Sequence, residues 1–155
     1  MGVLYDYFRA VDEDTACTAV DRPGGPLPAD GPGAAFDGVA ARGIDPVVAL
    51  GHLIAFVRGV TWTPDLVEVD TIARSTVTGG WVERLGEPVR DALAGAADDA
   101  LPEIVVKWSQ LDDVAPADAA DTAGATEWLA VVTDLVGLAR RARAADQDLY
   151  CWCCL

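Results

Sequence analysis

Positive charge is scarce in this chain. Of 155 residues only 11 are Lys or Arg against 25 Asp or Glu, a formal net charge of −14. Nucleic acids and anionic membrane surfaces are both held by dense cationic patches, so neither is an expected partner. Long apolar runs are missing as well. The longest, Val47 to Val57, is eleven residues and contains His52, whereas a helix that crosses a bilayer needs about 20. His52 is the one histidine, and neither Ser75 nor Ser109 lies in a G-x-S-x-G setting, so a nucleophile–His–acid triad is not expected. Met1 to Asp14 offer no cationic segment leading into an apolar one, because Asp6 and Arg9 interrupt it. A secretory leader is therefore not expected, and the cytoplasm is the expected location. Asp6 stands where a myristoylation pattern needs Ser or Thr, and Trp152 where a prenylation box needs its Cys.

What is present is apolar. Hydrophobic residues make up 52% of the chain and charged ones 23%, enough for one sizeable core and a single domain over residues 1–155. The opening Gly2 to Arg9 is aromatic and β-branched enough for a strand. Asp12 is a natural N-cap for a short helix to Val20, with Glu13 and Asp14 in its first turn. Between Pro23 and Gly33 the chain holds four Pro and four Gly, which predicts a flexible loop over residues 22–35. Asp45-Pro46 predicts the start of a helix that runs to Arg58 and stops at Gly59. A short strand is expected near Leu66 to Val69, and Thr76 to Leu85 reads as two β-prone runs around Gly79-Gly80, a tight hairpin. Pro88 and Pro102 each open a helix, to about Ala94 and Leu111. From about Ala125 to Ala145 an amphipathic pattern predicts the longest helix, with Arg140, Arg141 and Arg143 near its negative dipole end. Leu149 to Leu155 has no charged side chain and reads as a closing strand.

In their order, these pieces resemble the YfbM-like bacterial domain of unknown function. The likeness lies in the Met-Gly start into Tyr5-Asp6-Tyr7-Phe8, in the helix Asp45 to Arg58 after Asp37-Gly38, and in the Ala-rich helix Leu135 to Ala145 running into Leu149 to Leu155. Gly79-Gly80, then Leu85 and Glu87-Pro88-Val89, are similar to the family's Gly-rich turn leading into a helix. The resemblance implies a compact α+β fold, a small mixed sheet including the N-terminal and C-terminal strands, packed with about five helices. It brings no catalytic residue with it.

Two features bear on chemistry. Cys151, Cys153 and Cys154 crowd the closing strand, where alternate side chains share a face. Cys151 and Cys153 would then sit roughly 6.5–7 Å apart at Cβ, too far for a disulfide. As small hydrophobes they suit a core strand; released from a sheet, the three thiols are an alternative site for a soft metal or redox chemistry. The second feature is charge. Nine acids fall between residues 98 and 134 (Asp98, Asp99, Glu103, Asp112, Asp113, Asp118, Asp121, Glu127 and Asp134) with Lys107 alone against them. A negative field of that kind steers cationic partners. The expected function is a non-enzymatic protein-binding domain, in its sharpest form an immunity-type inhibitor of a basic toxin, which docks through these acids with Trp108 and Trp128 as anchors. No catalytic residue and no cofactor is expected, and His52, beside Val48 and Phe56 on its helix, reads as a core-edge residue.

Overall fold

The computed structural model describes residues 2–27, 36–114 and 122–155. Five strands, β1 (Leu4–Ala10), β2 (Gly38–Ala40), β3 (Val69–Arg74), β4 (Trp81–Leu85) and β5 (Asp148–Cys154), form one sheet in the order β2-β1-β5-β4-β3. The helices are α1 (Glu13–Cys17), α2 (Ala49–Arg58), α3 (Glu87–Ala94), α4 (Leu101–Ser109) and α5 (Thr122–Ala144), with a 3-10 turn at Asp98–Ala100. The chain is thus α+β. All four pairings in the sheet are antiparallel, which corrects the expectation of a mixed sheet. For β3 and β4 the cause is plain, because a parallel pair needs a crossover of a dozen or more residues and residues 75–80 supply only a hairpin loop.

The first and last strands meet at the middle of the sheet. β1 pairs with β5 from Leu4↔Cys154 to Ala10↔Asp148, and β5 pairs on its other side with β4. Leu149 through Cys153 are all buried, so β5 needs apolar residues on both faces. Leu149, Cys151 and Cys153 join Tyr7 and Leu85 in the larger core under α2 to α5. Tyr150 and Trp152 join Phe8 and Val82 in a smaller core on the other face, with Ala16 of α1 and with Ala19 and Val20 behind it. Phe8 stacks on Tyr150 at 5.6 Å between ring centroids and meets Phe36 at 4.7 Å.

The helix ends follow the local chemistry. Asp12 accepts from the Thr15 amide at 2.7 Å and caps α1. Asp45 accepts from the amides of Val47, Val48 and Ala49, although the regular turns of α2 begin only at Ala49. Gly59 ends α2 in the left-handed region, φ 65°, where a residue without Cβ has no strain. Arg140 does not serve its own helix end as expected. Its guanidinium donates to the carbonyls of Ala94 (3.1 Å) and Ala96 (2.6 Å) and to Asp98 (2.9 Å), so it caps the exit of α3.

One expected element moves. The hairpin strand lies at Val69–Arg74, not Thr76 to Thr78. Ser75 Oγ accepts from the amides of Val77 (3.1 Å) and Thr78 (3.0 Å) and donates to Asp21 (2.7 Å), which folds residues 75–80 into the loop. Of the Pro/Gly segment, Pro23 and Gly24 are exposed while Gly25 and Pro26 are buried, and a Cβ on Gly25 would stand 2.9 Å from the Trp152 ring. Residues 28–35 lie outside the described residues.

Strand β2 escaped the sequence reading. It follows Asp37 and is held by a close approach at Gly38, where a Cβ would lie 2.4 Å from the Tyr7 carbonyl oxygen and 2.5 Å from Leu27. Gly38→Ala should therefore cost about 1–3 kcal/mol of stability through forced displacement of backbone. A urea-denaturation midpoint equal to that of the unsubstituted chain would contradict this.

Candidate functional site

Cys151 and Cys153 are 0% and 1% exposed, with their sulfurs 3.7 Å apart, and all four cysteines are free. Cys154 lies on the opposite face of the strand, its sulfur 3.8 Å from the Thr78 carbonyl. The pleat therefore keeps Cys154 from converging with the other two, and the three-thiol metal site considered from the sequence does not form. Among the described residues no group of three His, Cys, Asp or Glu is placed to hold a metal ion. Burial, with Cys153 alongside, pushes the Cys151 thiol well above its ordinary range, which disfavours the reactive thiolate. Tyr7 beside it is driven up by burial and donates its hydroxyl proton to the Ile44 carbonyl at 2.6 Å. The neighbourhood is a satisfied core.

The acidic residues are spread along an antiparallel pair of helices. At one end of that pair Arg140 of α5 meets Asp98, just before α4; at the other, Trp128 meets Trp108 edge to face at 5.3 Å. Asp98 is tied to Arg140 at 2.9 Å and Glu103 to Lys107 at 2.9 Å. Asp99, Asp112, Glu127 and Asp134 are exposed and make no ion pair among the described residues. Asp113, 70% exposed, places Oδ2 3.7 Å from His52 Nε2. Asp118 and Asp121 lie outside the described residues.

Trp108 is corrected from anchor to core. It is 0% exposed and its indole N–H donates to the Ala49 carbonyl at 2.8 Å, so no partner can touch it. The apolar spacing of α4 that made it a candidate is the same spacing that buries it. Trp128 is half-buried. His52 stacks on Trp62 at 4.6 Å and its Nε2 is buried without a hydrogen-bond partner. Among the described residues no serine or cysteine is hydrogen-bonded to it.

A groove that no sequence pattern announces runs between β2 and α5. One depression of about 430 Å³ is lined by Gly38, Val39 and Ala40 and by Val131, Asp134 and Arg141. A second, of about 300 Å³, continues it past Ala40 and Val131 to Arg42, Glu127 and Trp128. Arg141 is already occupied: it grips Asp37 through Nε (2.7 Å) and Nη2 (3.0 Å), and Arg9 reaches the same carboxylate at 2.7 Å. The charged partners hold Asp37 below the usual carboxylate range, the Arg141 hydrogen bond being the strongest influence. On the opposite face of the sheet, beside Gly25, burial lifts the Asp6 carboxyl to about 6, with Arg42 pulling the other way. Only the alternation of acids and apolar residues on α5 could have hinted at this surface, since a three-residue strand carries no period.

No family model, curated protein or solved structure matches the chain.

Two outcomes are expected from this geometry. In the native protein Cys151 and Cys153 should be inert to a thiol reagent and react only on unfolding, with Cys154 and Cys17 reacting first; immediate reaction of all four would contradict the burial. Asp6 holds its proton more tightly folded than unfolded. Its contribution to stability is full below about pH 4 and disappears as pH rises through about 6. Asp6→Asn should thus raise stability at neutral pH by about 1 kcal/mol after allowance for solvent screening, and change little at pH 4. Thermal melts at both pH values measure the difference.

Proposed function

We propose that this chain is a non-enzymatic, cytoplasmic protein-binding domain that docks on a basic protein, and that its sharpest form is an immunity-type inhibitor of a cationic toxin or nuclease. The proposal includes the YfbM-like kinship suggested by the order of its elements. The observation that carries the reading is the set of exposed carboxylates left over once the internal ion pairs are made: Asp99, Asp112, Glu127 and Asp134, with Asp113 at the edge of His52. They stand on a chain of net charge −14, so the field at this surface attracts cations at range. Trp128 remains an aromatic beside the acids. The thiol alternative is not carried further, because the sulfurs are divided between two faces of a buried strand. No described helix is long and apolar enough to cross a membrane.

The test is association with a panel of small basic nucleases, which present the cationic surface the reading requires. The on-rate should fall about tenfold or more between roughly 0.05 and 0.5 M salt. The combined substitutions Asp99→Asn, Asp112→Asn and Asp113→Asn should lower it about three- to tenfold at low salt while leaving the fold intact. An on-rate indifferent to both salt and these substitutions would defeat the reading.

A further inference from the structure

The two edges of the sheet are treated differently. On β3 the ladder slips between Thr71 and Ala73, and Asp70 and Arg74 stand on the strand; bulges and charges are devices that discourage pairing with another chain. β2 has neither. The bonds from Arg9 N to the Asp37 carbonyl (3.1 Å) and from Ala41 N to the Tyr5 carbonyl (2.9 Å) show which residues of this segment face β1. In an antiparallel ladder the intervening residues turn their backbone groups the other way. Gly38 and Ala40 therefore direct their N–H and C=O groups to the free edge, where no described residue bonds to them. Across the groove stands α5, on which Glu127, Val131 and Asp134 are spaced four and three residues apart and share one face.

We infer that the groove between β2 and α5 accepts an extended segment of a protein partner as a sixth strand, with lysine or arginine side chains reaching Glu127 and Asp134. The unpaired amides and carbonyls of Gly38 and Ala40 are complemented by another extended backbone. Charge favours a basic segment along the stretch between Glu127 and Asp134, which are open: of the two cations at the groove's ends, Arg141 is taken by Asp37 and Arg42 acts on the Asp6 carboxyl. A second copy of this chain fits poorly: it would bring another net charge of −14 and another three-residue edge. The preference for basic segments rests on the function proposed above; the strand addition does not.

The experiment is an amide-resolved NMR titration of the intact chain with a short synthetic peptide of alternating lysine and valine. Shifts are expected at Gly38, Val39 and Ala40 and along the Glu127 to Asp134 face. Methylating the peptide nitrogens that face the edge should weaken binding about tenfold, as loss of backbone hydrogen bonds requires. Ala40→Pro removes the outward N–H, spares the bonds of Val39 and Ala41 to β1, and lies on an edge that tolerates proline; it should weaken binding about as much. If that variant does not fold, the methylated peptide still decides. Equal affinity for both peptides, shifts confined to other surfaces, or no binding by the unmethylated peptide would overturn the inference. Groove binding insensitive to salt and to Glu127→Gln with Asp134→Asn would support strand addition and defeat the basic-partner reading. Salt-dependent binding of a basic nuclease with the β2 amides unmoved would do the reverse.

Discussion

Strand β5 is the constraint on which the rest of the architecture depends. It is central, paired on both sides and buried on both faces, so each of its side chains must suit a dry environment. Burying a large apolar side chain contributes about 1.5–3 kcal/mol, and β5 supplies Leu149, Tyr150 and Trp152 in succession. Two layers follow from that demand. Helices α2 to α5 cover Leu149, Cys151 and Cys153; α1 and the segment behind it cover Tyr150 and Trp152. The conspicuous cysteines are explained in the same way, as small hydrophobes at positions where the strand has no room for polarity.

Burial also decides where the charges go. The cations the fold draws inward are arginines with their partners arranged around them. Arg90, 6% exposed, donates to Asp91 (3.0 Å) and to the Gln147 carbonyl (3.1 Å), and Arg140 donates to two carbonyls and Asp98. Arg9 and Arg141 share Asp37. An exposed pair contributes only about 0–1 kcal/mol, so the bridges at the surface, unlike those of the buried Arg90, do not hold the fold. They do withdraw cations from a surface that has few. With 11 basic residues against 25 acidic ones, every arginine spent on a carbonyl leaves a carboxylate unanswered outside.

Much of the fold was legible because it rests on local chemistry. The first and last strands announce themselves, β5 by a run from Leu149 to Cys154 without a charge and β1 by its aromatic residues; Asp12, Asp45, Gly59, Pro88 and Pro102 mark helix ends through hydrogen bonds and φ values that need no tertiary context. What was missed depends on distant contacts. β2 is three residues long and exists because Gly38 fits beneath Tyr7. The hairpin shifted because Ser75 gathers the amides after it and reaches Asp21, a contact across 54 positions. The acidic surface was visible as composition, yet its partition was not: whether Asp98 or Asp99 is open depends on Arg140, 42 residues away from the former. Trp108 and Trp128 share a helical spacing of apolar residues, and only packing separates the buried ring from the half-buried one.

A negative field and an unpaired strand edge do different physical jobs. Charge acts over about a Debye length, roughly 8 Å at physiological salt, and orients many basic surfaces without distinguishing among them; its effect is mainly on encounter rate. Backbone pairing acts only at hydrogen-bond distance and demands an extended segment in register, so its effect is on lifetime and selectivity. In the docking proposed for this molecule the two meet along α5, where Glu127 and Asp134 overlook groups of Gly38 and Ala40 that no described residue bonds. A partner with positive charge but no free strand would be attracted and released, and one with a free strand but negative charge would be turned away before its backbone could pair. Selectivity then arises from the requirement that both conditions hold in the same segment, which neither the composition of the chain nor its sheet could impose alone.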